Sequence, residues 1–177
     1  MNKYLSIITL NVKGLNALIK RPRIAEWIRK CDPHICCLQE THLRTKDLHR
    51  LKVSGWKQIF QATQQEKKAG VAIPVSDKID FQSRAIKRDP EGHFIILKGR
   101  IHQEDINILN IYAPKIGAPK YIKKILEDFK KDIDSNTIIV GDFNAPLSKM
   151  DRSSKQNINK DIVSLKNTLE EMDFTDI

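Results

Sequence analysis

Between positions 56 and 112, five short runs of apolar and β-branched residues follow one another with no helical stripe between them, at 56–61, 70–75, 81–86, 93–98 and 106–112. Consecutive strands without intervening helices join most simply as antiparallel neighbours, and Asp89-Pro90-Glu91-Gly92 supplies a turn between two of them. This block fixes the class of fold, because it demands a sheet, and the flanking segments add helices. Residues 6–12 form a first strand, with Gly14 offering a place to turn. Ile24, Trp27, Ile28 and Cys31 fall at i, i+3, i+4 and i+7, a helix with one buried face, bounded by Pro22 and by Asp32-Pro33. Residues 35–38 are uninterruptedly apolar, as in a strand covered on both faces, and they deliver Gln39, Glu40 and Thr41 at its carboxyl end. A second helical stripe comprises Ile122, Ile125, Leu126, Phe129 and Ile133. Strand 137–140 then ends in Gly141-Asp142-Phe143-Asn144, and Ile162, Leu165, Leu169 and Met172 mark a last helix. The pattern is mixed α/β.

A chain of 177 residues is expected to form one domain, 1–177. With 40% hydrophobic and 30% charged residues it has the balance of an ordinary globular protein rather than a disordered or membrane chain. The first ten residues are broken by Asn2, Lys3, Ser6 and Thr9, so they form neither a secretory core nor a membrane span, and an intracellular protein is expected. Thirty-one Lys and Arg against 22 Asp and Glu give a formal charge of +9, which favours a polyanionic partner, nucleic acid first. Basic residues that only solvate the surface are the alternative. Cys31, Cys36 and Cys37 are read as buried free thiols, the last two facing opposite sides of a strand; no CxxC or HxxxH spacing accompanies them to suggest a metal site.

Asn11, Glu40, Tyr112, Asp142 and Asn144 each lie at or near the carboxyl end of an expected strand. Phosphodiester hydrolysis needs a hard cation on the scissile phosphate, an oriented water, and donors for the charge that builds in the transition state. Carboxylates, amides and a phenol supply these, and Mg²⁺ needs only one or two carboxylates because it keeps several waters. Each residue also has a plainer reading. Asn11 suits a strand-end turn, Glu40 a cap, Tyr112 a half-buried strand aromatic, and Asp142 and Asn144 an ordinary turn.

Thr9-Leu10-Asn11-Val12, Leu38-Gln39-Glu40-Thr41-His42, Asn110-Ile111-Tyr112-Ala113-Pro114 and Gly141-Asp142-Phe143-Asn144 resemble, in order, the successive motifs of the endonuclease/exonuclease/phosphatase superfamily. The text between them, including residues 67–72 and 147–153, is similar to the endonuclease domains of long interspersed element (LINE-type) retrotransposons. The resemblance implies an αββα sandwich of two sheets, of the deoxyribonuclease-like type. It implies Mg²⁺, with Mn²⁺ as a substitute, and double-stranded DNA as substrate, nicked as by an apurinic/apyrimidinic endonuclease. It also implies a monomer in the nucleus and cytoplasm, whose parent protein carries a reverse transcriptase. By the same resemblance Glu40 binds the metal with Asn11 nearby on metal or phosphate, Asp142 orients or deprotonates the attacking water, Asn144 and Tyr112 meet phosphoryl oxygens, and Arg152 touches the DNA backbone or merely sits exposed.

Two departures stand out. The family's histidine belongs to a Ser-Asp-His motif near the domain's carboxyl terminus, preceded by another Asp, and no histidine follows Asn144 here. His42 is expected to be structural or to sit behind the residues that meet metal and substrate. The domain is therefore read as truncated before its final strands and weak or inactive. Pro74 interrupts the strand at 70–75, and proline removes a ladder donor, which is tolerated mainly at edges and bulges. The rival readings are a phosphoesterase of the same superfamily acting on inositol phosphates or sphingolipids, and a nonenzymatic nucleic-acid-binding remnant.

Overall fold

A computed structural model of the chain describes residues 4–145 and 160–177. The chain divides into two compact units. The first, Met1–Tyr112 with Thr137–Asp142, carries both sheets. The second, Ala113–Asn136 with Phe143–Ile177, carries helices α2 (Ala118–Asp128) and α3 (Lys160–Glu171).

In the first unit one sheet is made of β1 (Ile7–Asn11), β2 (Ile35–Gln39), β3 (Gln58–Ala62) and β4 (Val71–Val75), in the order β1-β2-β4-β3. The other is made of β5 (Phe81–Arg88), β6 (Phe94–Ile101), β7 (Glu104–Tyr112) and β8 (Thr137–Asp142), in that order. The middle block pairs antiparallel as its sequence demands, β3 with β4 and β5 through β7 in succession. Each sheet also has one parallel pair at its edge, β1 with β2 and β7 with β8.

The two-residue period of β2 explains its complete burial. Cys36 and Leu38 pack with Val12, Leu15, Ala25, Ile28 and Trp56, on the side of helix α1 (Lys20–Cys31), whereas Ile35 and Cys37 face Ile95, Leu97 and Ile108 of the second sheet. The two sheets thus pack face to face, with α1 on the outer side of the first. This is the expected α/β sandwich. At about 25 cal/mol per Å² of apolar surface, each fully buried side chain such as Ile35 or Leu38 contributes roughly 1.5–3 kcal/mol.

Two details differ from the sequence expectation, and a third, Pro74, finds its place in a break in the ladder. Cys31 is exposed rather than buried, because α1 ends there and Asp32, in the left-handed region at φ 48°, turns the chain away. The helical stripe running to Ile133 breaks earlier: α2 stops at Asp128 and a 3-10 turn, Lys130–Asp132, leads into an extended Ile133. Pro74 sits on an inner strand, not an edge. It pairs with Ile59 of β3, and on its other side the β2–β4 ladder runs Ile35 to Val75 and resumes at Leu38 with Ala72, skipping the two rungs opposite Pro74 and Ile73. The interruption accommodates the missing N–H.

Candidate active site

The parallel edges bring the carboxyl ends of β1, β2, β7 and β8 to one rim of the first unit. Asn11 stands beside Gln39 in one sheet and Tyr112 beside Asp142 in the other, each pair in register. Two hydrogen bonds then cross between the sheets. Asn11 Nδ2 donates to Asp142 Oδ2 at 2.7 Å, and the Tyr112 hydroxyl donates to Glu40 Oε1. Four residues that lie up to 131 positions apart in the sequence therefore form the corners of one polar cluster.

Behind them a buried amide pair ties the sheets together. Gln39 Nε2 donates to Asn110 Oδ1 at 2.9 Å and to Thr9 Oγ1 at 2.9 Å, while Asn110 Nδ2 donates to the carbonyls of Leu38 at 3.1 Å and Ala72 at 3.2 Å. Buried amides with this many partners specify one packing of sheet on sheet. Gln39 directly precedes Glu40, and Asn110 lies two residues before Tyr112, so the pair sets the separation of the two side chains in front of it.

Local backbone geometry aims the side chains. Glu40 and His42 both adopt left-handed conformations, φ 55° and 56°, held because Thr41 N donates to Gly70 O at 3.1 Å, His42 N to Ala69 O at 2.8 Å and Gly14 N to Glu40 O at 2.6 Å. Such conformations cost of order 1–3 kcal/mol and persist where surrounding structure over-determines them, commonly at functional sites. Gly141, at φ 144°, seats β8 against β7: a Cβ there would lie 1.9 Å from the Ile111 carbonyl oxygen.

Burial pushes the Tyr112 phenol above its ordinary pKa, and the hydrogen bond to Glu40 with the charges of Glu40 and Asp142 push it further, so it is a neutral donor at physiological pH. His42 is held closely by its surroundings. Its carbonyl accepts from Asn16 Nδ2 at 2.9 Å, and Gly14 passes its ring so closely that a Cβ would meet Nδ1 at 2.9 Å. Asn144 belongs to the second unit, where it is exposed, at φ 46°, and donates from Nδ2 to the Ala113 carbonyl at 2.7 Å. Arg152 lies outside the described residues.

The sequence profile of the Endonuclease/Exonuclease/phosphatase family matches residues 8–175. The chain belongs to that family. A curated relative, a DNA-(apurinic or apyrimidinic site) endonuclease of Dictyostelium discoideum, is 26% identical over 118 residues, which are 64% of this chain and 31% of that protein. The chain thus spans about a third of the length of that relative. Among solved structures, the fold resembles AP endonuclease LMAP of Leishmania major (TM-score 0.71, 16% identity, 95% of this chain and 66% of that one). It also resembles an AP endonuclease of Archaeoglobus fulgidus (0.65, 21%, 95% and 70%) and the endonuclease domain of TRAS1, a telomere-specific non-LTR retrotransposon (0.66, 17%, 96% and 71%).

The donors at the family rim fit a hydrated hard cation better than a closed cage. Among the described residues no three His, Cys, Asp or Glu side chains gather around one point. A carboxylate such as Glu40, with waters completing the shell, is an oxygen donor of the kind a hydrated hard cation takes. Sequence reasoning missed His93, which stacks on Tyr112, and the Gln39–Asn110 pair, whose only signal was its place inside two of the motifs.

Proposed function

We propose that the chain carries the active site of a phosphodiester hydrolase acting on double-stranded DNA, of the nicking, apurinic/apyrimidinic endonuclease-like kind used by LINE-type retrotransposons. The observation that carries this reading is the pair of cross-sheet bonds, Asn11 to Asp142 and Tyr112 to Glu40, which puts two carboxylates, an amide and a phenol on one rim. The +9 charge and the relatives named above favour DNA over an inositol phosphate or a sphingolipid.

In this reading Glu40 holds Mg²⁺, or Mn²⁺ in its place, which when bound neutralises charge on the scissile phosphate. Asn11 turns its oxygen to the Lys13 amide at 2.9 Å and its nitrogen to Asp142, so it acts chiefly by orienting that carboxylate. Asp142 then accepts a proton from the attacking water. Tyr112, kept protonated, turns its single hydroxyl proton from Glu40 to a phosphoryl oxygen when substrate is bound; Asn144 supplies a further donor and Arg152 a backbone contact. The same reading takes 1–177 as the greater part of one domain, acting as a monomer inside the cell, nucleus included, with a reverse transcriptase in the parent protein. It also takes this chain alone as weak, since no histidine follows Asn144 and general acid–base catalysis is typically worth about 10²–10⁴-fold.

Relaxation of supercoiled plasmid with Mg²⁺ tests the proposal. The chain as it stands is compared with a version extended by a family-like carboxyl-terminal segment, each with and without Asp142→Ala. Nicking by the extended version, lost in Asp142→Ala, is expected. Robust Asp142-dependent nicking by the unextended chain overturns the claim of weakness, and an extended, folded chain that never nicks overturns the nuclease reading.

A further inference from the structure

His93 takes the place of a backbone donor in the last rung between β6 and β7. Phe94 pairs with Ile111, so the next rung outward joins His93 to Tyr112, and Tyr112 N does donate to His93 O at 2.6 Å. The reciprocal bond is not made by backbone. His93 N donates instead to Asp89 Oδ2 at 2.9 Å, within the turn at residues 89–92, and His93 Nδ1 lies 2.7 Å from Tyr112 O. Because a carbonyl only accepts, Nδ1 carries the proton. The bond therefore fixes both the tautomer and the ring's orientation. So held, the imidazole lies over the phenol, with centroids 5.5 Å apart and planes within 10° of parallel.

We propose that His93 is a positioning residue for Tyr112, holding the phenol so that its hydroxyl reaches Glu40 across the sheets. A tyrosine at a strand end has alternative staggered χ1 wells, and one wall of the selected well must be supplied by a neighbour. Here the imidazole forms that wall, and it is itself tethered at the strand end it supports. Asp89 contributes indirectly, because by accepting from His93 N it frees the Tyr112 carbonyl for the ring. The inference about placement stands on geometry alone. Its importance for catalysis rests on the nuclease reading of the same rim.

The test uses the intact chain with tyrosine ¹³C-labelled at Cζ, whose shift reports the hydrogen bond made by the hydroxyl. Tyr4, 81% exposed, gives the water-bonded reference, and Tyr4→Phe and Tyr121→Phe assign the three signals. Glu40→Gln defines the shift when the carboxylate partner is lost. His93→Ala is expected to move the Tyr112 signal most of the way to that value while the other two tyrosines stay put. His93→Phe, which keeps a flat ring, is expected to restore most of the parent shift, and it also covers the case in which His93→Ala fails to fold. An unmoved Tyr112 signal in His93→Ala, in a chain where Glu40→Gln does move it, overturns the proposal. So does a His93→Phe signal no closer to the parent than that of His93→Ala. Plasmid nicking by the extended version is scored separately, so failure of the nuclease reading leaves the His93 result standing and distinguishable.

Discussion

Replacing Asn110 by alanine should cost the fold more than any other single polar change on the inner faces of the sheets. The side chain is fully buried and makes three hydrogen bonds: Oδ1 accepts from Gln39 Nε2 at 2.9 Å, and Nδ2 donates to Leu38 O at 3.1 Å and Ala72 O at 3.2 Å. Gln39 Nε2 keeps Thr9 Oγ1 and the Cys37 carbonyl, so it is not orphaned. The loss is therefore close to three net bonds at about 1 kcal/mol each, or about 3 kcal/mol, with the small void left behind adding to it. For a urea slope of about 2 kcal/mol/M, the unfolding midpoint falls by about 1.5 M. Urea denaturation followed by tryptophan fluorescence reads this directly through Trp56, which is buried in the first unit. A midpoint that falls by less than about 0.3 M refutes the reasoning, because the amide would then contribute less than one ordinary hydrogen bond.

Gly141→Ala should break the β7–β8 rung that aligns Tyr112 with Asp142, since its Cβ would sit 1.9 Å from Ile111 O; a lowered thermal midpoint and lost nicking by the extended chain are expected, and wild-type values in both would contradict it. A thiol reagent at neutral pH should modify Cys31 alone in the native chain and all three cysteines after unfolding, because burial pushes Cys36 up to about 12 and Cys37 well above its ordinary value; native labelling of Cys36 or Cys37 counts against this. The raised Tyr112 pKa carries a sign. Its stabilising contribution is fully present below the unfolded value near 10 and is lost as pH rises beyond it, because the unfolded phenol ionises first, so Tyr112→Phe should flatten the alkaline fall in stability measured by urea titration above about pH 10. An alkaline slope unchanged by Tyr112→Phe would remove the linkage.

The sheets were legible because β strands write their period plainly. Residues 35–38 are apolar throughout and β2 is buried on both faces, and the eight strands among the described residues fall where the runs stand. The site was legible to the extent that strand tips carry polar residues. Which tips meet was not, since Asn11 faces Asp142 only because β1 and β8 are the edges of facing sheets, and strand order leaves no local trace. Pro74 called for an edge or a break in pairing, and it sits inside beside two skipped rungs of the β2–β4 ladder, which remove the conflict with its missing N–H. The 3-10 segment Thr45–Arg50 has no stripe to announce it. His93 looked like the residue after a turn, and its role follows from a rung in which an imidazole replaces an amide.

The central claim, that this rim holds a hydrated divalent cation through Glu40, is tested most directly by adding Mn²⁺ to ¹⁵N-labelled chain and observing which amide signals its paramagnetism broadens. Selective broadening at Asn11, Glu40, Tyr112 and Asp142, reversed by excess Mg²⁺ and absent in Glu40→Ala, is the predicted result. Broadening centred elsewhere, or an identical pattern in Glu40→Ala, would contradict the account.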